Sequence, residues 1–104
     1  MNIYKLDKDL FLKHTGTDFY GELGDRFKRA ATRSLLLISE EINQTKSIDS
    51  TIPHRLKGVA LSCGFQDVGR VCIKLESYSC IMNEKRFKAV MSMILFSMCQ
   101  ILSE

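Results

Sequence analysis

The residues best suited to chemistry are His54, Lys57 and Gly58, which lie at helical neighbour positions. A neutral imidazole is a nucleophile near physiological pH. A lysine ammonium one helical turn away can stabilise a negatively charged oxygen, such as that of a phosphoryl group, as a point charge. A glycine beside it leaves room for another molecule to approach the ring, although it costs a helix interior about 1 kcal/mol relative to alanine.

These residues require a helix that turns the imidazole away from the core. At 100° per residue, the apolar positions of this segment fall in one sector of about 100°. They are Ile52, Leu56, Val59, Ala60 and Cys63. His54 lies almost opposite that sector, and Leu61 follows two turns later on the same outward face. Because a lone surface histidine is most often only a surface histidine, this spacing alone does not identify a reaction.

Helical periodicity dominates the rest of the chain, and it predicts an all-α protein. We expect a short helix over 8–13, a long one over 17–43, and others from 49 or 50 to 63, over 66–79 and over 84–102. Polar stretches at 14–18 and 43–51 separate the first three. Thr17 or Asp18, Asp49 or Ser50, and Asn83 are the expected caps. Pro53 falls within a first turn, where proline is tolerated, and Gly64 can end that helix.

Apolar residues at steps of three and four give each helix an inward stripe. In the long helix these are Phe19, Leu23, Phe27, Ala30, Ala31, Leu35, Ile38 and Ile42. Gly21 and Gly24 weaken its first turns. After Gly64 the inward positions are Val68, Val71, Cys72, Leu75 and Tyr78. The last helix has a broad apolar face, which fits either a central position, the interpretation we favour, or a dimer surface. Short connections between amphipathic helices predict an antiparallel four-helix bundle with a short additional N-terminal helix.

Composition restricts the class of protein. A length of 104 residues predicts a single domain over 1–104, and the net charge of +3 is mild. Lysines and arginines do not cluster with aromatic residues, so nucleic-acid binding is unsupported. The N-terminal residues include charges and lack a following apolar region, and 90–102 is too short to cross a bilayer, so we expect a cytoplasmic protein without a membrane partner. The four cysteines lack metal-ligand spacing and should pack as small apolar side chains in a reducing compartment.

The segment His54-Arg55-Leu56-Lys57-Gly58, followed at an interval by Gly64, resembles the signature of histidine-phosphotransfer (HPt) domains. That signature consists of a histidine, any residue, leucine, lysine and glycine, with a second glycine that ends the helix. The stretch that closes on Lys74-Leu75-Glu76 is also similar to the family's next helix. The resemblance is sharp from His54 to Glu76. Pro53 departs from it, since the family usually has a small residue there.

The resemblance implies a phosphocarrier of two-component phosphorelays, which passes a phosphoryl group between receiver-domain aspartates. It implies His54 as phosphoacceptor, Lys57 as the group that stabilises the phosphate, and Gly58 as the opening for the receiver. The partners would be response-regulator receiver domains and a hybrid sensor histidine kinase. The chain has no nucleotide-binding loop and no cofactor of its own is expected, whereas Mg²⁺ is expected in the partner receiver.

Further expectations concern the surface that docks a partner and the alternative functions of the chain. Arg55, Arg70 and Lys74 could form a positive rim that steers an acidic receiver, with Leu61 in the docking surface. An equally good interpretation of the three cations is solvated helix surface. A non-catalytic module that docks and inhibits a sensor kinase or regulator is the main alternative function, and a small DNA-associated helical protein is the third.

Overall fold

The computed structural model describes residues 4–44 and 49–104, which form five α-helices and no strand. The helices are α1 (Lys8–Thr15), α2 (Glu22–Gln44), α3 (Thr51–Cys63), α4 (Gln66–Tyr78) and α5 (Glu84–Leu102). The all-α prediction is therefore confirmed for these residues. Residues 1–3 and 45–48 lie outside the described ranges, and the latter belong to the predicted polar stretch at 43–51.

The boundaries of α1 and α2 differ from the prediction. The Asp7 side chain caps α1 by accepting from the backbone N–H groups of Asp9 and Leu10 at 2.9 and 3.2 Å. Helix α2 begins at Glu22, so neither Thr17 nor Asp18 caps it. The segment before it instead forms a turn that buries Phe19 against Phe11, with ring centroids 5.2 Å apart. The segment predicted to form the first turns of α2 is therefore a non-helical turn that buries an aromatic side chain.

Gly24 allows this turn to lie against α2. A Cβ atom at Gly24 would stand 1.9 Å from the backbone oxygen of Asp18, so only glycine permits the approach. Leu23 and Phe27, predicted to face inward, are instead 56% and 46% exposed. Ala30 is exposed as well, whereas Ala31 is half-buried against the core. The inward stripe of α2 is confirmed further along, where Leu35, Ile38 and Ile42 are buried.

Helices α3 and α4 form a hairpin, the most closely packed pair of helices in the described chain. Asp49 Oδ1 accepts from the N–H of Thr51 at 2.9 Å, and Pro53 lies buried in the first turn of α3. Gly64 ends α3 at φ = 95°, a left-handed conformation that favours glycine. Its N–H and that of Phe65 both bond to the carbonyl of Ala60. These predicted start and stop signals are confirmed.

Helix α5 begins as predicted, because the Asn83 side chain accepts from the N–H groups of Lys85 and Arg86 at 2.8 and 3.3 Å. Its broad inward face supplies seven buried side chains, which are Phe87, Met91, Ile94, Leu95, Met98, Ile101 and Leu102. It packs on α2, which in turn packs on α3, while α1 covers α3. The prediction for Tyr78 is wrong, since its side chain is 55% exposed at the end of α4.

Two further properties were predicted from composition. No helix within residues 4–44 and 49–104 is long and apolar enough to cross a membrane. Cys63 and Cys72 are buried as predicted, whereas Cys80 is exposed and Cys99 is half-buried. Burial raises the pKa of the Cys63 thiol to about 11 and that of Cys72 to about 12, so both remain protonated at neutral pH.

Candidate functional site

The His54 imidazole stands on the surface of the α3–α4 hairpin. Its side chain is 67% exposed at the end of the first turn of α3, where Asp49 accepts a hydrogen bond from the N–H of Thr51 and Pro53 is buried. Leu56, on the opposite side of α3, is fully buried. The sequence prediction that the ring faces outward is therefore confirmed, and a shallow depression bounded by Ser50, Thr51 and Glu76 adjoins it.

Glu76, near the end of α4, connects His54 with Lys57. Its Oε1 atom lies 2.9 Å from Nδ1 of His54 and 3.2 Å from Nζ of Lys57, while its Oε2 accepts from the same ammonium at 3.3 Å. The side chains of Lys57 and Glu76 are only 22% and 23% exposed. The lysine is thus held by a carboxylate at the edge of the site, and one carboxylate orients both groups.

The carboxylate of Glu76 favours one tautomer of a neutral His54 imidazole. Partial burial acts to raise the pKa of Glu76, but the hydrogen bonds and charges of Lys57 and His54 outweigh it and lower the pKa below its ordinary value. Glu76 is therefore ionised at neutral pH, and an ionised carboxylate only accepts hydrogen bonds. The proton of a neutral ring must then sit on Nδ1, which leaves the lone pair on Nε2.

Gly58 leaves the surface beside His54 uncovered. A Cβ atom added there would meet nothing within 4 Å. The glycine lies at the edge of an apolar groove between α2 and α3, whose walls include Phe27, Ala30, Ala31 and Val59. The exposure of Phe27, unexpected from the helical pattern, supplies the largest apolar side chain of this groove. Gly58 thus belongs to this groove, whereas the His54 ring, one helical turn before it, adjoins the separate depression bounded by Ser50, Thr51 and Glu76.

Comparisons with protein-family models, curated proteins and solved structures find no match to this chain.

The four residues predicted to dock a partner do not form one rim around His54. Arg55 makes an ion pair with Glu41 of α2 and also lines the groove. Arg70 pairs with Asp67 within α4 at 2.8 Å. Lys74 lies about 200° around α4 from Glu76, so it faces the side away from His54. Leu61 is 45% exposed on α3 and covers Gly69 of α4. Only Arg55 and Leu61 thus lie on the same helix as His54.

Glu76 is the site residue that the sequence analysis missed. The segment that ends in it was noted only for its family likeness, and no role was assigned to its carboxylate. A usable signal was present, because residues at similar distances from the Gly64 turn face one another in a helical hairpin. His54 and Glu76 lie ten residues before and twelve after that glycine.

The part of the chain that the structure describes holds no cluster with metal-ligand character. Within the ranges that the structure describes, no three His, Cys, Asp or Glu side chains lie close enough to share a metal ion. His14, the other histidine, is exposed at the end of α1 and lines the far end of the groove.

Proposed function

We propose that the chain is a histidine-containing phosphotransfer protein, in which His54 relays a phosphoryl group between receiver-domain aspartates of a cytoplasmic two-component phosphorelay. The observation that carries the proposal is the pairing of an exposed His54 with an ionised Glu76 through Nδ1 at 2.9 Å. In this proposal, α2 to α5 act as an antiparallel four-helix bundle that holds α3 rigid, with α1 as the additional N-terminal helix.

The reaction uses the lone pair on Nε2 of His54. This nitrogen attacks the phosphorus of an aspartyl phosphate in the partner, so that an N–P bond forms while the P–O bond to the aspartate breaks. The bonding electrons of that P–O bond leave with the aspartate as a carboxylate. The ring gains positive charge during attack, and the carboxylate of Glu76 stabilises it through the Nδ1–H.

Lys57 can interact both with Glu76 and with the incoming phosphoryl group. Its ammonium is shared with Glu76 at 3.2 Å, one helical turn from the imidazole. When three anionic phosphoryl oxygens arrive on Nε2, the ammonium can stabilise them as a point charge and still neutralise Glu76. Phosphoryl transfer depends chiefly on such positioning and charge stabilisation, and the partner receiver supplies the Mg²⁺ ion.

The docking face in this proposal is the groove between α2 and α3. It begins beside Gly58, where the backbone is bare, and continues along Phe27, Ala31 and Val59. An apolar patch of this kind lets a partner helix bury surface close to the reacting nitrogen. Arg55 at its border offers a cation to an acidic receiver surface.

Transfer of radiolabelled phosphate from a panel of phosphorylated receiver domains tests the proposal. The wild-type chain should acquire an acid-labile, alkali-stable label, and His54→Gln should acquire none. His14→Gln is the matched control, because it removes the other exposed histidine and should retain the label. Labelling of His54→Gln would refute the assignment. Binding of a receiver or kinase by both proteins without transfer would favour the non-catalytic docking module instead.

A further inference from the structure

A second surface lies on the side of α4 that faces away from His54. Helices α4 and α5 are not among the closely packed pairs, and an open groove separates them. Val71 and Leu75 of α4 and Ala89 of α5 form part of its apolar lining. No part of the phosphotransfer site contributes to this groove.

The α4–α5 turn presents two large exposed side chains at one end of this groove. Tyr78 is 55% exposed and Ile81 is 75% exposed. The turn itself is ordered by backbone hydrogen bonds, since the N–H groups of Ile81 and Met82 both donate to the carbonyl of Tyr78 at 3.0 Å. The apolar side chains are thus held at the surface by a defined backbone.

Three cations border the same groove, namely Lys74, Lys85 and Arg86. No carboxylate of the described residues forms an ion pair with any of them. Lys85 and Arg86 also occupy the first turn of α5, where the helix dipole makes a positive charge unfavourable. Helix stability therefore does not account for their presence there, whereas an acidic ligand would.

We propose that the α4–α5 groove binds an acidic amphipathic helix of a partner protein. The helix would bury its apolar stripe against Tyr78, Ile81 and Ala89, and its acidic residues would pair with the three bordering cations. The groove lies between two helices, α4 and α5. A helix is a suitable ligand because a third helix can pack into such a gap by ordinary helix packing. This site lies apart from His54, so a partner bound here leaves the phosphotransfer face uncovered.

Binding of synthetic peptides to the full chain tests the proposal. The probe is a fluorescent amphipathic helix of about four turns, with leucines along one stripe and glutamates elsewhere. The matched peptide has lysines in place of the glutamates. Fluorescence anisotropy should show binding of the acidic peptide only, and amide chemical shifts should change around Tyr78, Ile81 and Ala89.

Three variants separate this groove from general electrostatics. Lys85→Glu with Arg86→Glu should weaken peptide binding at least about tenfold. Ile81→Ser should weaken it by about tenfold through lost apolar burial. Arg29→Glu with Arg33→Glu, an equal charge reversal on the exposed side of α2, should change it less than about twofold because distant surface charges are screened. The four side chains whose charges are reversed in these variants are exposed, so the variants should fold normally.

The opposite results would overturn the proposal. These are equal binding of the basic peptide, equal weakening by the α2 reversal, or shift changes confined to the His54 face. Binding of the chain to vesicles of phosphatidylglycerol, with no binding of the acidic peptide, would likewise overturn it and assign the groove to an anionic membrane surface.

Discussion

Replacement of Gly58 by alanine should stabilise the protein, although Gly58 lies one helical turn from the proposed phosphoacceptor, His54. The residue is exposed in the interior of α3, and an added Cβ meets nothing within 4 Å. No steric cost therefore offsets the helix propensity of alanine, which favours it over glycine by about 0.8–1.0 kcal/mol. For a domain of this size, that gain should raise Tm by about 3–6 °C.

Thermal and urea denaturation, followed by far-ultraviolet circular dichroism, measure this gain directly. An unchanged or lowered Tm for Gly58→Ala would refute the reasoning, because it would mean that this part of α3 is not an open, regular helix. Gly58→Leu extends the test to function. Leucine is also a good helix former, so stability should again rise. Transfer from a receiver should nevertheless fall at least about tenfold, since the side chain fills the approach to His54.

Three other predictions follow from the same structure. Gly24→Ala should lower the free energy of unfolding by about 1–3 kcal/mol in urea denaturation, because its Cβ would collide with the backbone before α2; an unchanged value would contradict this close approach. The pKa of Glu76 is lowered in the fold, so its contribution to stability is present above the ordinary glutamate pKa and is lost as pH falls through the lowered value. Glu76→Gln should accordingly reduce Tm near neutral pH, and the difference from wild type should close in acid; a constant difference would count against the pairing. A disulfide reagent that reacts with thiols should modify Cys80 quickly at neutral pH. It should modify Cys63 and Cys72 only on unfolding, because burial raises the pKa of these two thiols. Rapid modification of Cys63 or Cys72 in the folded Cys80→Ser variant would contradict their burial.

The second half of the fold could be predicted well because its signals are local. Asn83 caps α5 through its own side chain, and Gly64 ends α3 in the left-handed conformation that few other residues adopt. The outward direction of His54 also follows from the helix period alone, once Leu56 and Ala60 define the buried face.

The first half of the fold could be predicted less well, because it depends on contacts between separate segments of the chain. Phe19 fits the helical stripe of α2 by spacing, but it gains more burial by packing on Phe11 in a turn outside the helix. This turn leaves Phe27 exposed toward the α2–α3 groove, which a wheel diagram of α2 cannot show. Tertiary packing here overrides the local pattern.

The candidate site also has one part that local sequence signals predict and one part that they do not. Its α3 residues follow from one helix, whereas the Glu76 bridge requires the register between α3 and α4. That register also separates Lys74 from His54, although both residues belong to one hairpin. Side-chain pairing across helices is therefore the part of the site that spacing within a single helix could not reveal.

In the proposed reaction, Nε2 of His54 accepts the phosphoryl group while Nδ1 remains hydrogen-bonded to Glu76. The most direct measurement is ³¹P and ¹⁵N nuclear magnetic resonance of the chain with ¹⁵N-labelled histidine, after incubation with a phosphorylated receiver domain. We expect a single phosphoramidate signal, coupled to Nε2 of His54, with the proton retained on Nδ1. A phosphoramidate on His14 or on Nδ1 of His54, or no phosphoramidate from a receiver that docks on the α3 face, would contradict it.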